Sequence, residues 1–491
     1  MKHLVVVIPG IGGSELADDT GPVWRAGLGD LLLPIRHDRL SLSTNPTLHP
    51  RGLVTTKAVG SKKNELPWLP GWTVVHGYET MFDQLQAQLP GARVDYGNQG
   101  GDPMATVVGF PYDFRQSVAA IAERLNDEVE TRLTALGAVS DEERKHKVIF
   151  VAHSMGGLVA RYLLGPLGRA SWCRSLITLG TPHRGAPKAL DLLVNGARVG
   201  PLILGGLTNT MREWPALHEL MPTYKAIGRL DPDDPEKTPM VGCYPSDLDG
   251  VSESFKSKSA EAAATHEDIT EAWKNIRRVD APELVAMYGF SHQTQTSATL
   301  NPSTNELVLG NRHPSWLSAA GWEELRGDGT VPAVAATPLE MAASVRNTDR
   351  LDLRHGPISG APEAVALICQ YEHVGTTEHV RGDSDGTVAV GLEIEDAYVQ
   401  GTDATIAADI FGLEERADTT GANVWGKLVD PEGTAREVRL EHAPEGEAAH
   451  RYQFSVDLEM PGTHRVTVSS SGIPGMSDRS LSDAFHVVPE E

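Results

Sequence analysis

In the stretch Ala152-His153-Ser154-Met155-Gly156, a strand-like apolar run, VIFVA, meets a helix-like one, GGLVARYLL. A serine at such a corner, with small residues two places before and two after it, matches the nucleophile elbow. A serine hydroxyl is a poor nucleophile near neutral pH. It needs an imidazole to take its proton, a carboxylate behind the imidazole, and N–H donors for the oxyanion that forms on the attacked carbonyl. The helix that begins behind Ser154 offers backbone amides and a positive dipole end to that oxyanion. A serine that merely caps a helix accounts for Ser154 but not for the small residues bracketing it.

The partners follow from chain order, in which this architecture places the carboxylate after the nucleophile and the histidine after the carboxylate. LRGDGTVP sets Asp328 between two glycines on a tight turn. Asp385, in RGDSDGTVAV, repeats the pattern at the edge of a β-rich tail and is set aside. His355, in RLDLRHGPISG, ends a strand before a loop and a helix. Its rivals are His373, in a terminal helix, and His379, in a polar connection. His183, in GTPHRGAP, precedes the carboxylate and is read as shaping the pocket floor. The second oxyanion donor belongs to the loop after an early strand, PGIGGSEL. Gly10 and Ile11 are the candidates, with the amide of Ile11 preferred. No GK[ST] follows and GxGxxG spacing is absent, so this is not a phosphate loop.

Positioning these groups calls for a parallel α/β sheet. Residues 3–9, 104–110, 146–153, 174–182, 282–290 and 349–355 read as strands, apolar enough to be covered on both faces. Residues 116–136 carry Val118, Ile121, Leu125, Val129 and Leu133 at helical spacing. About 190–275 an insertion breaks the rhythm. Its first part, with VGPLILGGL and WPALHELMPTY, reads equally as a cap over a pocket or as an irregular core excursion. Its second part, from residue 231, is acidic and polar and reads as an exposed insertion. Asp231, Asp233 and Asp234 there suit a solvated loop better than a calcium site, since the prolines break regular ligand spacing. After a linker at 375–386, residues 387–491 show seven short alternating segments between turn-formers, the pattern of an immunoglobulin-like β-sandwich. The expected domains are thus a catalytic unit over 1–374 and that sandwich.

The chain has 491 residues and a formal net charge of -23. With no basic stripe it is no nucleic-acid binder, and anionic membranes do not attract it electrostatically. Cys173, Cys243 and Cys369 lie far apart without a CxxC pair. No metal or cofactor is expected, and the sparse count fits a reducing compartment. The first apolar run is about five residues, too short for a signal peptide, and no segment approaches the roughly 20 apolar residues of a spanning helix. The expected location is the cytoplasm.

Several motifs together, PGIGGSEL, Trp24, PYDFR at 111–115, AHSMGG, GTPHRG, LHELMPTY and GDGTVP, appear in an order that resembles the lecithin:cholesterol acyltransferase-like branch of the α/β-hydrolases, with its bacterial lipase and esterase relatives. The resemblance covers residues 1 to about 372. It implies Ser154 as nucleophile, Asp328 as orienting acid, His355 as base, and the amides of Ile11 and Met155 as oxyanion donors. It sets Trp24 near the acyl-binding or lid region. Asp113 and Arg115 are read as a pair that fixes a loop. His153, and Leu202 and Leu204 in the apolar stretch 200–207, are candidate substrate contacts for a fatty acyl chain. The expected function is hydrolysis of lipid or other acyl esters, or transfer of the acyl group, through an acyl-serine. The alternatives are an amide or thioester hydrolase, and a non-catalytic scaffold that meets a protein partner through its sandwich.

Overall fold

A computed structural model describes residues 1–25, 34–55, 68–70, 72–98, 100–229, 242–248, 250–301, 306–310, 326–341, 348–373, 388–413, 417, 419, 421–443 and 450–489. Asp231, Asp233, Asp234, His379, Asp385 and the expected linker at 375–386 lie outside the described residues.

The centre is a seven-stranded sheet built from β1 (Leu4–Ile8), β2 (Val94–Asp95), β3 (Val107–Gly109), β4 (Val148–His153), β5 (Cys173–Leu179), β6 (Glu283–Gly289) and β7 (Thr348–Leu351). Its order is β7-β6-β5-β4-β1-β3-β2, and every adjacent pair runs parallel. Alternation along β1 and β4 explains their uniformly apolar sequence. Leu4, Val6, Ile8, Val148 and Phe150 enter one core with helices α2 (Val118–Ala135) and α3 (Gly156–Leu164). Val5, Val7, Ile149 and Val151 enter a second core with α1 (Glu79–Gln88) and α5 (Pro362–His373). Both faces are covered, so neither can be polar. In α2, Ser117 caps the N-terminus by accepting from the Ala120 amide, and the five residues at helical spacing are buried.

The first part of the insertion follows the second of its two readings, a core excursion, and the second part departs from its reading. Leu190, Leu193, Leu207, Met211, Trp214 and Leu217 belong to the same core as the sheet, so residues 190–220 form an extension of that core. The polar segment after 231 contains a 22-residue helix, α4 (Glu253–Lys274), which buries Phe255, Ala262 and Ile269. Its apolar face is sparse among Ala, Ser, Glu and Lys, which hid the helical period beneath the polar composition.

The described residues of 389–488 form strands and the turns between them, with no helix among them. One sheet runs through β8 (Ala389–Glu393), β10 (Asp403–Phe411), β14 (Arg451–Asp457) and β13 (Glu441–His442). The other takes β9 (Ala397–Val399), β16 (Arg479–Val488), β15 (Gly462–Ser471), β11 (Asn423–Val429) and β12 (Ala435–Arg439). Both sheets contribute to one core, with Ile406 and Phe454 on one side and Val466 and Phe485 on the other. The segment AREVRLEHA forms two strands: β12 pairs with β11, the chain crosses at Leu440, and β13 pairs with β14 in the opposite sheet.

Candidate active site

Ser154 follows the carboxyl end of β4 with φ of 51°, a left-handed conformation that costs a non-glycine residue about 1–2 kcal/mol. The turn is held by the Ser154 amide donating to Leu179 O at 2.9 Å and the Gly157 amide donating to Ser154 O at 3.0 Å. Small residues are needed behind it: a Cβ on Gly157 would stand 2.1 Å from Thr181 Oγ1.

Three groups from distant parts of the chain meet there. Ser154 Oγ lies 2.9 Å from His355 Nε2, and His355 Nδ1 lies 2.7 Å from Asp328 Oδ2. The side-chain order requires Nδ1–H to donate to the carboxylate and leaves Nε2 to accept from the serine hydroxyl. The other Asp328 oxygen accepts from the Thr330 and Val331 amides at 2.9 and 2.7 Å. Burial acts to raise the pKa of this carboxyl, but the His355 interactions and the two amides outweigh it, and the net shift is downward. The two turns are also tied directly, since the His355 amide donates to Asp328 O at 2.9 Å. His373 and His183 are not part of this constellation. His373 ends α5 and approaches Cys369 O, and Asp385 lies outside the described residues.

A second network surrounds the first. The Tyr78 hydroxyl accepts from the Gly10 amide at 2.8 Å and stands 2.8 Å from His153 Nδ1, to which it donates. His153 Nε2–H then donates to His355 O at 2.8 Å. Burial, reinforced by the neighbouring His355, pushes the His153 pKa down to about 3, so its imidazole is neutral and matches that pattern. His153 is therefore a brace behind His355. Tyr78 has no motif around it, and nothing local in the sequence marks it.

Because the Gly10 amide is engaged by Tyr78, Ile11 is the available member of the pair of expected loop donors, and it lines the cavity at Ser154. Gly10 itself passes close to the serine: a Cβ there would lie 2.7 Å from Ser154 Cβ. The loop is fixed on three sides. Tyr112 Oη donates to Pro9 O at 2.6 Å, Trp24 Nε1 donates to Gly12 O at 2.7 Å, and Tyr78 holds Gly10. Trp24 packs edge-on against Phe114, so it props the loop rather than facing the serine cavity. Arg115 and Asp113 form the expected pair, buried at 2.6 Å, and Arg115 also donates to Leu40 O and Asn45 O. Met155 is buried at the start of α3, beside Ser154.

The site is closed. Ser154 is 1% exposed and His355 2%, and the cavity between them holds only about 10 Å³, room for about one water. Its cover is the segment 72–78, with Trp72 set edge-on at 6.5 Å from the His355 ring. Leu202 and Leu204 are not among the residues lining this cavity. Leu202 is in a two-residue strand paired with Val199, and Leu204 packs beside Val74, Val199 and Val488. A cavity of about 540 Å³ lies elsewhere, lined by residues that include Arg161, His183, His218 and His266 but none of Ser154, Asp328 or His355. His183 thus floors that cavity and not the one at the serine. Among the described residues no group of His, Cys, Asp and Glu is arranged to hold a metal ion, and no helix is long and apolar enough to cross a membrane.

A mostly parallel sheet with a left-handed serine at a strand–helix turn defines an α/β-hydrolase. Residues 93–317 match the family model of lecithin:cholesterol acyltransferase. That match spans a little under half of the chain and marks the stretch as similar to that family. The chain is 36% identical over 90 residues to triacylglycerol lipase 2 of Saccharomyces cerevisiae, a match spanning 16% of this chain and 28% of that relative. Among solved structures, Bacillus licheniformis lipase BlEst2 in propeptide form aligns over 99% of this chain and 93% of its own, at 11% identity and a TM-score of 0.31. A CARDB domain from Pyrococcus furiosus aligns over 21% of this chain and 94% of its own, at 11% identity and a TM-score of 0.14.

Proposed function

We propose that this protein is a serine acyl-ester hydrolase acting on lipid esters. The observation that carries the reading is the unbroken hydrogen-bonded line from Asp328 through His355 to Ser154, ending at a serine held in a left-handed turn.

Ser154 Oγ attacks the ester carbonyl carbon while His355 Nε2 takes its proton. The C=O π pair moves onto oxygen, and the oxyanion is stabilised by the amides of Ile11 and Met155. Loss of one such donor typically costs about 3–4 kcal/mol of transition-state stabilisation. Asp328, kept ionised by its amides and His355, offsets the imidazolium charge. The carbon–oxygen bond to the alcohol breaks, and the alcohol leaves with the proton from His355. Water then attacks the acyl-serine by the same route in reverse. An acceptor alcohol in place of water makes the reaction an acyl transfer, and hydrolysis is the reading adopted as the default.

With about 10 Å³ at the serine, an acyl chain enters only after the cover 72–78 moves. The tail is assigned as an immunoglobulin-like sandwich, with the catalytic unit ending near residue 374.

The test is release of p-nitrophenol from short- and long-chain p-nitrophenyl esters by the wild type and by Ser154→Ala, with mass spectrometry of a fluorophosphonate adduct. Equal turnover by the two proteins refutes the assignment, and so does an adduct on any residue other than Ser154.

A further inference from the structure

Arg354 precedes His355 and is buried. Its guanidinium lies against the Asp328 turn, with Cζ 3.1 Å from where a Cβ on Gly329 would stand. A cation so placed touches the turns of both the imidazole and the carboxylate, and a buried guanidinium needs its charge and its N–H donors matched. The matching groups come from the other end of the chain. Nη1 donates to Leu392 O at 2.9 Å, in β8, and Nη2 to Ile394 O at 3.2 Å, just past its end. Nε forms an ion pair with Asp483 Oδ2 on β16. The other Asp483 oxygen accepts from the Ala484 amide at 2.8 Å and stands 2.7 Å from His76 Nε2, in the cover over Ser154. The Arg354 charge holds the Asp483 carboxyl down at about 2 against the opposing effect of burial, so Asp483 is an anion throughout the neutral range.

The surrounding interface keeps this carboxylate in place. The Leu392 amide donates to His292 Nδ1 at 3.0 Å, Lys188 pairs with Asp396, and Arg479 pairs with Asp352. Val74 of the cover packs with Ala484 and Val488.

We propose that Asp483 is a positioning residue of the active site: acting through Arg354, the C-terminal β-sandwich holds the His355 turn in register with Asp328 and Ser154. This rests on the serine-hydrolase reading above. Arginine keeps its charge under any ordinary condition. Without Asp483 that charge loses its ion-paired partner and keeps only the Coulombic attraction of Asp396 and Asp328, beside the imidazole that must become an imidazolium, and the guanidinium is drawn toward water. Because residues 354 and 355 share a peptide unit, His355 moves with it. A displacement of about 1 Å at a reacting group is enough to cost orders of magnitude in rate.

The test uses the full chain and a soluble p-nitrophenyl ester, with kcat, KM and melting temperature measured for each variant. Asp483→Asn, nearly isosteric and uncharged, is expected to lose about ten-fold or more in kcat with KM within about two-fold of wild type. Asp483→Glu, which restores the charge, recovers part of that loss. His76→Ala, which cuts only the link to the cover, loses less than Asp483→Asn. Asp457→Asn, at an exposed carboxylate on β14, behaves as wild type. A folded Asp483→Asn with kcat within two-fold of wild type overturns the proposal. An equal loss in His76→Ala also overturns it, because the effect then runs through the cover. Should Asp483→Asn fail to fold, the Arg354→Gln, Asp483→Asn double variant leaves no unpaired buried charge and takes its place with the same thresholds. Ser154→Ala, measured alongside, separates the two readings. Full turnover by it sinks the hydrolase assignment whatever Asp483 does, whereas an inert Ser154→Ala beside a fully active Asp483→Asn sinks only the positioning role.

Discussion

Gly180 and Asp328 touch across the carboxyl edge of the sheet: a Cβ on Gly180 would stand 2.7 Å from Asp328 Oδ2, the oxygen that holds His355. Gly180 has φ of 56° and hands its amide to Met287 O, so its place at the end of β5 is fixed by the strand beside it. The Asp328–His355 pair can close only because this position has no side chain.

Gly180→Ala is therefore expected to fold with a loss of about 1–3 kcal/mol from the left-handed backbone and the new contact. It should lower kcat far more than KM, by roughly a hundred-fold, because the displaced atom is Asp328 Oδ2. Urea denaturation and steady-state kinetics on one ester check both, and an Ala variant with wild-type kcat shows that the contact does not matter.

Tyr78→Phe removes the hydroxyl that satisfies the Gly10 amide and His153 Nδ1, leaving two buried polar groups unpaired. The expected loss is about 1–3 kcal/mol in stability for each orphaned group, reduced by whatever water enters. Activity falls as well, because Gly10 precedes Ile11 and His153 supports the His355 carbonyl. Chemical denaturation of Tyr78→Phe against wild type measures the first effect, and unchanged stability contradicts the network.

The left-handed turn at Ser154 predicts a difference between two inactive variants. Ser154→Gly should be more stable than Ser154→Ala by about 1 kcal/mol, since both lose the hydroxyl but only glycine takes φ of 51° without a Cβ penalty. Thermal melts of the two proteins decide it, and the reverse order would mean that the serine is not strained.

Acid should destabilise the protein well above the usual carboxylate range. Burial is the leading cause that lowers His153 to about 3, His218 and His266 to about 4, His292 to about 3 and His486 to about 4, and that holds His183 well below its ordinary value. Unfolding releases each imidazole to take a proton below about pH 6.5, so the unfolded state then binds more protons than the folded one. Their contribution is complete above pH 6.5 and is lost as pH falls toward 4 and 3, by at most about 1.4 kcal/mol per pH unit for each group. Glu219, pushed up to about 7 by burial, acts in the opposite sense and offsets one of them. A melting temperature that is flat from pH 8 to 7 and drops steadily below 6.5 is expected, and a flat profile down to pH 5 contradicts it.

The cover over the serine gives a prediction about access. Trp72→Ala removes the ring standing edge-on to His355 and opens the 10 Å³ cavity. Covalent labelling of Ser154 by a bulky fluorophosphonate should speed up several-fold, while a small one gains less. Equal labelling rates in wild type and variant for the bulky probe argue that the cover lies elsewhere.

The amino-acid order alone marks Ser154, because a strand, a tight turn and a helix are adjacent in sequence and each writes its own period and small-residue signature. Asp328 and His355 were legible at one remove, through turn chemistry and chain order, and the sheet strands through apolar runs that only double coverage explains. Helix α4 escaped notice because its buried face is a thin line of residues within a charged surface.

Only the tertiary structure decided that residues 72–78 close the site, that Tyr78 and His153 brace it, and that Leu202 and Leu204 do not line it. It alone brought Asp483 to Arg354, more than a hundred residues away in sequence. Local periodicity records which face of an element is buried. It does not record which partner from another part of the chain supplies the countercharge or the hydrogen bond, since those contacts arise only when separately formed elements pack together.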